Sequence, residues 1–367
     1  MLIDIATASP PYKVLQTKAT DELKKRMADR PAISRMIDSV SIHSGIDSRY
    51  FVIPDGIDSA DDKFYSKDGN YIKPGTKPRM TEYERWSKIL TVEAAQKLLL
   101  VNEVDPAKIN RLITISCTGF FAPGLDYHLI NTLKLPRTIK RTHIGFMGCA
   151  ASLIGFNSVL EAMNSAPGKD ETNTLLVSVE LCSLHLQTEP TKDNILANMI
   201  FADGAAAALF SNSPPPKSKT LLKIISTQSI LFDDSAEFMG WKVGDFGFEM
   251  LLSTELPKII LERAVPALKK IFEDFGINKE EIKHWALHPG GRAILDSLQN
   301  GLELTGEEMN PSRDVLKNFG NMSSSSILFV LKEILQTRII KHNDLCCAVA
   351  FGPGLTMEVA LMKDVDV

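Results

Sequence analysis

The sequence predicts an α/β protein whose sheets are buried between layers of helix. Three observations carry that expectation. Short apolar runs alternate with longer segments of helical period along all 367 residues. Several runs are continuously apolar or small, as in Gly204-Ala-Ala-Ala-Ala-Leu-Phe210, which suits strands covered on both faces. The length itself exceeds one small core and points to two domains or one large composite.

The elements follow in order. The opening Met1-Leu-Ile-Asp-Ile-Ala-Thr-Ala8 reads as a first strand, and residues 55–80, rich in Asp, Lys, Gly and Pro, as an exposed loop. Val92, Ala95, Leu98 and Leu99 recur at helical spacing. Leu112 to Ser116 reads as a strand, Tyr127 to Leu133 as a helix, and His143 to Phe146 as a strand. A proline-rich stretch, Ser211-Asn-Ser-Pro-Pro-Pro-Lys-Ser-Lys-Thr220, cannot supply ladder donors and reads as a linker. It divides the chain into halves of 1–212 and 218–367, which could be distant copies of one βα arrangement. In the second half, Leu221 to Ile225 opens a strand. Ile259, Ile260, Leu268, Ile271, Phe272 and Phe275 mark a helical face. Trp285 to Leu287 reads as a strand, Ile327 to Ile340 as a helix, and Cys346 to Phe351 as a strand.

Composition removes several function classes. With 44% hydrophobic and 23% charged residues, the chain is neither disordered nor collagen-like. Forty-one basic and 45 acidic residues are interspersed to a net charge of −4, which argues against a nucleic-acid or membrane-surface partner. No apolar run reaches the eighteen or so residues of a membrane span, and the start carries an acid where a signal peptide would carry Lys or Arg. A cytoplasmic protein is the expectation. The five cysteines are odd in number and scattered, without a C-x-x-C pair, so neither a disulfide framework nor a zinc site is expected.

Four segments could carry chemistry. In Ile144-Gly-Phe-Met-Gly-Cys149-Ala-Ala-Ser, an apolar strand ends where a helix begins, placing a thiol at a helix N-terminus. That position favours thiolate and nucleophilic attack, although a buried structural cysteine is the commoner fate. In Trp285-Ala-Leu-His288-Pro-Gly-Gly, a histidine ends a strand beside a tight turn. It could hold Cys149 as a thiolate–imidazolium pair or be a satisfied core residue. In Phe319-Gly-Asn321-Met-Ser-Ser-Ser-Ser, the asparagine could cap the following helix or aim its amide into a cleft. The fourth, Ala350-Phe-Gly352-Pro-Gly354-Leu-Thr-Met, is a strand and glycine turn without a dinucleotide fingerprint.

Taken together, these segments resemble the type III polyketide synthases, the chalcone synthase superfamily on the thiolase fold. The resemblance runs from Ile5-Ala-Thr-Ala-Ser-Pro-Pro to Phe351-Gly-Pro-Gly-Leu-Thr-Met-Glu. Between them it includes Cys117-Thr-Gly-Phe-Phe-Ala-Pro-Gly-Leu-Asp-Tyr, Phe201-Ala-Asp-Gly, His288-Pro-Gly-Gly and Gly320-Asn-Met-Ser-Ser. It implies two pseudo-equivalent halves in αβαβα layers with the site between them. It implies iterative decarboxylative condensation of malonyl-CoA onto an acyl-CoA starter, followed by cyclisation, in a homodimer. Coenzyme A thioesters are substrates, and no redox cofactor or metal is implied.

By the same resemblance, Cys149 is the acyl-accepting nucleophile, and His288 and Asn321 bind the malonyl carbonyl and stabilise the enolate. Phe201 is an aromatic gatekeeper, and Met250 stands in the second gatekeeper's place with Phe248 close by. Cys117 and His185 line the pocket. Arg35 contacts coenzyme A phosphate, while two neighbouring basic positions are Ala32 and Ser39. Ala122 occupies the place of a Met that reaches into the partner's cavity. Glu180-Leu-Cys-Ser-Leu-His185 resembles bacterial members. Two rival expectations are an initiating β-ketoacyl synthase fed by acyl carrier protein, whose usual His-x-Ala-Asn is missing here, and a non-catalytic acyl-CoA-binding protein of the same fold.

Overall fold

The computed structural model describes residues 1–27, 31–55, 63–165, 171–213 and 221–365. Most of the expected linker, residues 214–220, lies outside that set. Nine strands form the main sheet: β1 (Leu2–Ala8), β2 (Arg111–Ser116), β3 (Lys140–Gly145), β4 (Asn173–Leu181), β5 (Asp203–Ser211), β6 (Leu222–Leu231), β7 (Ile282–Leu287), β8 (Leu345–Gly352) and β9 (Thr356–Asp364). Their spatial order is β7-β8-β9-β6-β1-β5-β4-β2-β3.

That order contains one pattern twice. Outward from β1, the chain pairs antiparallel with β5, β5 antiparallel with β4, and β4 parallel with β2. Outward from β6, it pairs antiparallel with β9, β9 antiparallel with β8, and β8 parallel with β7. The two series meet at a single antiparallel contact, Leu2 with Leu222. The first series carries one further parallel strand, β3, at its edge.

Three cores separate the helical layers. Outside the first half, Thr76–Val101 and Leu125–Leu133 cover Leu112, Val177, Val179, Ala205 and Ala207. Outside the second, Val265–Asp274 and Arg292–Leu302 cover Trp285, Leu287, Val349 and Val359. Between the halves, Ala151–Ser165 and Ser326–Thr337 pack on Ile113, Ile115, Ala206, Ala208, Ala348 and Ala360. This is the αβαβα arrangement of the thiolase fold. Alternate residues of one strand therefore serve different cores, which is why the strands read as continuously apolar. The alanines of β5 and Gly155 let the middle helices come close. A Cβ on Gly155 would lie 2.6 Å from Leu176 Cδ1.

Most expected elements appear with shifted ends. The region read as loop is an exception: it holds a small hairpin, Ser66–Lys67 with Asn70–Tyr71, and the long helix already starts at Thr76. Phe275 is 43% exposed and leaves the helical face that Ile271 and Phe272 bury. The last helix stops at Thr337 rather than Ile340.

Candidate active site

Cys149 owes its place to a sharp turn after β3. Phe146 and Gly148 both take left-handed backbone conformations, with φ of 58° and 61°. A Cβ on Gly148 would lie 2.3 Å from Pro353 Cδ, so glycine is required by contact as well as by φ. The short turn Gly148–Ala150 then leads into Ala151–Ser165. The loop Gly352–Gly354 thus buttresses the cysteine turn, with Gly352 packed against the Met147 carbonyl. This gives the fourth sequence segment a role without any nucleotide.

His288 follows β7 and donates its backbone N–H to the Val349 carbonyl at 2.8 Å. His288 is 2% exposed, yet neither ring nitrogen has a hydrogen-bond partner among the described residues. Buried imidazoles are normally satisfied, so two orphaned nitrogens mark a place kept for something else. Asn321 is held by backbone on both sides, its N–H donating to Ile200 O at 3.0 Å and its carbonyl accepting from Ala202 N at 2.8 Å. Its side chain is not the helix cap. Oδ1 accepts from Ser323 N at 2.8 Å, and the helix begins further on, at Ser326.

The three residues converge from both halves. The Cys149 thiol points at Asn321 Oδ1 (3.9 Å) and Ser323 Oγ (3.6 Å). Asn321 Nδ2 donates to the Gly290 carbonyl at 3.2 Å, and the Gly290 turn lies against the His288 ring. One amide hydrogen of Asn321 remains for a ligand.

The expected thiolate–imidazolium pair is not the arrangement found, since no hydrogen bond joins the Cys149 sulfur to the His288 ring. Burial opposes both charges, pushing Cys149 up to about 12 and His288 down to about 3. The Ser323 hydroxyl partly offsets the burial of the thiol, and the Glu180 carboxylate adds to it. Glu180 is itself fully buried and raised to about 6 by desolvation. It accepts from Cys117 N (3.0 Å), Thr118 Oγ1 (2.8 Å) and Ser324 Oγ, tying the loop after β2 to the serine turn after Asn321. The sequence gives Glu180 and Ser323 no such role, because Glu180 is a single acid in an apolar run and Ser323 is one of four consecutive serines that nothing in the spacing tells apart.

The pocket residues divide. Phe201, His185 and Met250 line one cavity together with Cys182, Trp241 and Phe248. Phe201 also forms a backbone bridge with Asn321, which links that cavity to the site. His185 is closed off from chemistry: Nε2 contacts Thr118 O at 2.7 Å and Nδ1 accepts from Phe248 N at 2.9 Å. Its ring stacks on Phe248 at 4.3 Å. Cys117 is tucked behind the turn, its sulfur accepting from Gly148 N at 3.1 Å and its carbonyl accepting from Trp241 Nε1 at 2.7 Å. Arg35 sits exposed on the helix Pro31–His43, away from this cavity.

Comparison with known proteins agrees with this layout. Residues 223–366 match the chalcone and stilbene synthase C-terminal domain, and residues 62–236 match the FAE1/type III polyketide synthase-like family. A putative chalcone synthase of Bacillus subtilis is 31% identical over 99% of this chain and 98% of its own length. The chain belongs to the type III polyketide synthase family, a family of acyltransferases. The alpha-pyrone synthesis polyketide synthase-like Pks18 of Mycobacterium tuberculosis is 30% identical, covering 96% of this chain and 88% of that protein. The crystal structure of 1,3,6,8-tetrahydroxynaphthalene synthase from Streptomyces coelicolor superposes with a TM-score of 0.87 at 27% identity, over 100% of this chain and 99% of that one.

Proposed function

We propose that this type III polyketide synthase loads the acyl group of an acyl-CoA starter onto Cys149 and extends it with malonyl units. His288 and Asn321 bind the thioester carbonyl of malonyl-CoA while it loses CO2. The enolate so formed, still attached to coenzyme A, attacks the Cys149 thioester and expels the Cys149 thiolate; the extended chain, now on coenzyme A, reloads onto Cys149 with release of free coenzyme A for each further round and finally cyclises to an aromatic or pyrone product. The observation that carries this reading is the pair of orphaned His288 nitrogens, in a ring packed against the Gly290 turn to which Asn321 Nδ2 donates. Preorganised donors without an internal partner are what a developing enolate oxygen needs. The chemistry calls on no general base for decarboxylation and on no redox cofactor or metal. In acyl transfer, the Cys149 proton passes to His288 as the sulfur attacks the thioester.

The apolar part of the cavity beside Phe201, made by Val14, Leu23, Phe51, Leu186 and Met250 and flanked by the charged Glu22, Arg26 and Asp55, is the proposed place of a fatty acyl starter. Arg35, exposed on its helix, is the proposed phosphate contact for coenzyme A. A homodimer is part of the reading. Edge strand β3 is largely uncovered, and Phe120, Phe146 and Met147 beside it are 55%, 37% and 46% exposed. A second copy seated there would cover both. Among the described residues no helix is long and apolar enough to cross a membrane, and a cytoplasmic site of action with no nucleic-acid partner is proposed.

The test supplies malonyl-CoA with acyl-CoA starters from acetyl to palmitoyl and follows products and intact protein mass. An acyl adduct on Cys149 and pyrone or aromatic products are expected. A protein that never carries an adduct on Cys149, with any starter, would sink the reading.

A further inference from the structure

Arg49 is 1% exposed, and among the described residues no carboxylate accepts a hydrogen bond from it, the Asp203 carboxylate favouring its charge only through space. Burying a guanidinium costs several kcal/mol unless its donors are well used. Here they are spent on backbone carbonyls. Nη1 donates to Asn198 O and to Phe201 O, both at 2.7 Å, and Nε donates to Gln16 Oε1 at 3.0 Å. Gln16 in turn donates to Met199 O at 2.8 Å. The remaining carbonyl of this run, Ile200 O, accepts from the backbone N–H of Asn321.

Four consecutive carbonyls, 198 to 201, are therefore shared between Arg49, Gln16 and the candidate catalytic asparagine. They form the end of the helix Lys192–Ile200 and the residue after it, where unpaired carbonyls concentrate negative charge. The contact with Asn321 is tight. A Cβ on Gly320 would lie 2.8 Å from Arg49 Cγ and 3.0 Å from Ile200 O, and Gly320 has a φ of 72°. The Arg49 stem thus runs directly beside the chain that presents Asn321.

We propose that Arg49 is a positioning residue that sets where Asn321 stands, by clamping the Asn198–Phe201 carbonyls against which the Asn321 backbone is hydrogen-bonded. The proposal rests on Asn321 acting in malonyl-CoA decarboxylation. Arg49 lines the cavity beside Phe201 but makes no hydrogen bond to Cys149, His288 or the Asn321 side chain. Lysine has no planar fork to bind the two carbonyls and Gln16 in fixed directions, so it loosens the cradle while keeping the charge.

The test measures two half-reactions on Arg49→Lys in the full chain: decarboxylation of malonyl-CoA, and acylation of Cys149 by acetyl-CoA, whose two-carbon acyl group does not call on the cavity Arg49 lines, followed by intact mass. Decarboxylation kcat is expected to fall at least tenfold with KM within threefold, while acylation stays within threefold. A purely structural arginine would lower the folded fraction and depress both half-reactions equally, and that result overturns the proposal. Should Arg49→Lys fail to fold, Gln16→Ala loosens the same cradle more gently. It is expected to lower the ratio of decarboxylation to acylation by a few fold, and an unchanged ratio overturns the proposal. Asn321→Ala separates the two claims. Loss of decarboxylation there with an unchanged ratio in Arg49→Lys overturns the positioning role alone. Normal decarboxylation in Asn321→Ala overturns the role of Asn321, and that of Arg49 with it.

Discussion

The two halves share a strand pattern but contribute different things to the site, and their histidines show how. His185 in the first half and His288 in the second are both buried, and burial holds both down to about 3. His185 has a partner on each ring nitrogen, whereas His288 has none. Equal desolvation therefore produces a structural residue in one half and a candidate catalytic one in the other. The difference is hydrogen-bond satisfaction, not burial. A second contrast runs parallel to it. The first half supplies the thiol from a turn with left-handed backbone at Phe146 and Gly148, and the second supplies the Asn321 Oδ1 and Ser323 Oγ that the thiol meets.

The largest expected effect breaks the first half's contribution. Cys149→Ala should abolish product while the protein keeps its fold, because one sulfur at a helix start adds little packing but anchors the whole chain covalently. Product at wild-type yield, read by mass spectrometry, would disprove the assignment.

Breaking the second half should be nearly as severe for one step alone. Asn321→Ala is expected to slow decarboxylation by about 10²–10³, or roughly 2.7–4 kcal/mol, with starter acylation of Cys149 spared. Were Asn321 merely a helix cap, truncation would cost about 1 kcal/mol of stability and leave decarboxylation unchanged. His288→Gln sharpens the same contrast. Glutamine keeps a donor for the enolate but cannot take the thiol's proton, so acylation should suffer more than decarboxylation.

The paired substitutions His185→Leu and His288→Leu test the histidine comparison by melting temperature and activity together. His185→Leu strands the Thr118 carbonyl and the Phe248 N–H, at about 1–3 kcal/mol for each group left unsatisfied. His288→Leu removes two unpaired polar atoms and should leave the melting temperature unchanged or raised while activity vanishes. A matching drop in melting temperature for both would erase the distinction.

The same comparison has a consequence in acid. A histidine whose folded value is about 3 refuses a proton that the unfolded chain accepts below about 6.5, so its contribution is intact above that pH and is lost as pH falls. For His185 the loss reaches about 3 kcal/mol by pH 4.5. Glu180 and Asp203, both raised to about 6 by burial, act with opposite sign over about pH 4–6. The difference between wild type and His185→Gln in urea titrations at pH 7 and 4.5 isolates the histidine. A difference that does not change between the two pH values would contradict a neutral buried ring.

By itself the sequence determined the layers and the candidates. Runs such as Leu112–Ser116 and Cys346–Phe351 are apolar on both faces, and that is local information about burial. Cys149, His288 and Asn321 each end or precede a regular element beside glycine, but singly each reads equally as a structural residue, and it is the resemblance to the type III polyketide synthases that gives them roles. Gly75 and Pro78 hid the start of the Thr76–Val101 helix, since punctuating residues at a first turn look like loop. What only the tertiary structure decided is which groups are satisfied. His185 and His288 cannot be told apart by composition or spacing, because their partners come from residues 118 and 248 in one case and from no residue in the other. Arg49 and Glu180 were equally silent in sequence, as each acts on carbonyls or hydroxyls more than sixty residues away. Hydrogen-bond satisfaction is a property of the assembled fold, and it separates the residues that hold this site from those proposed to act in it.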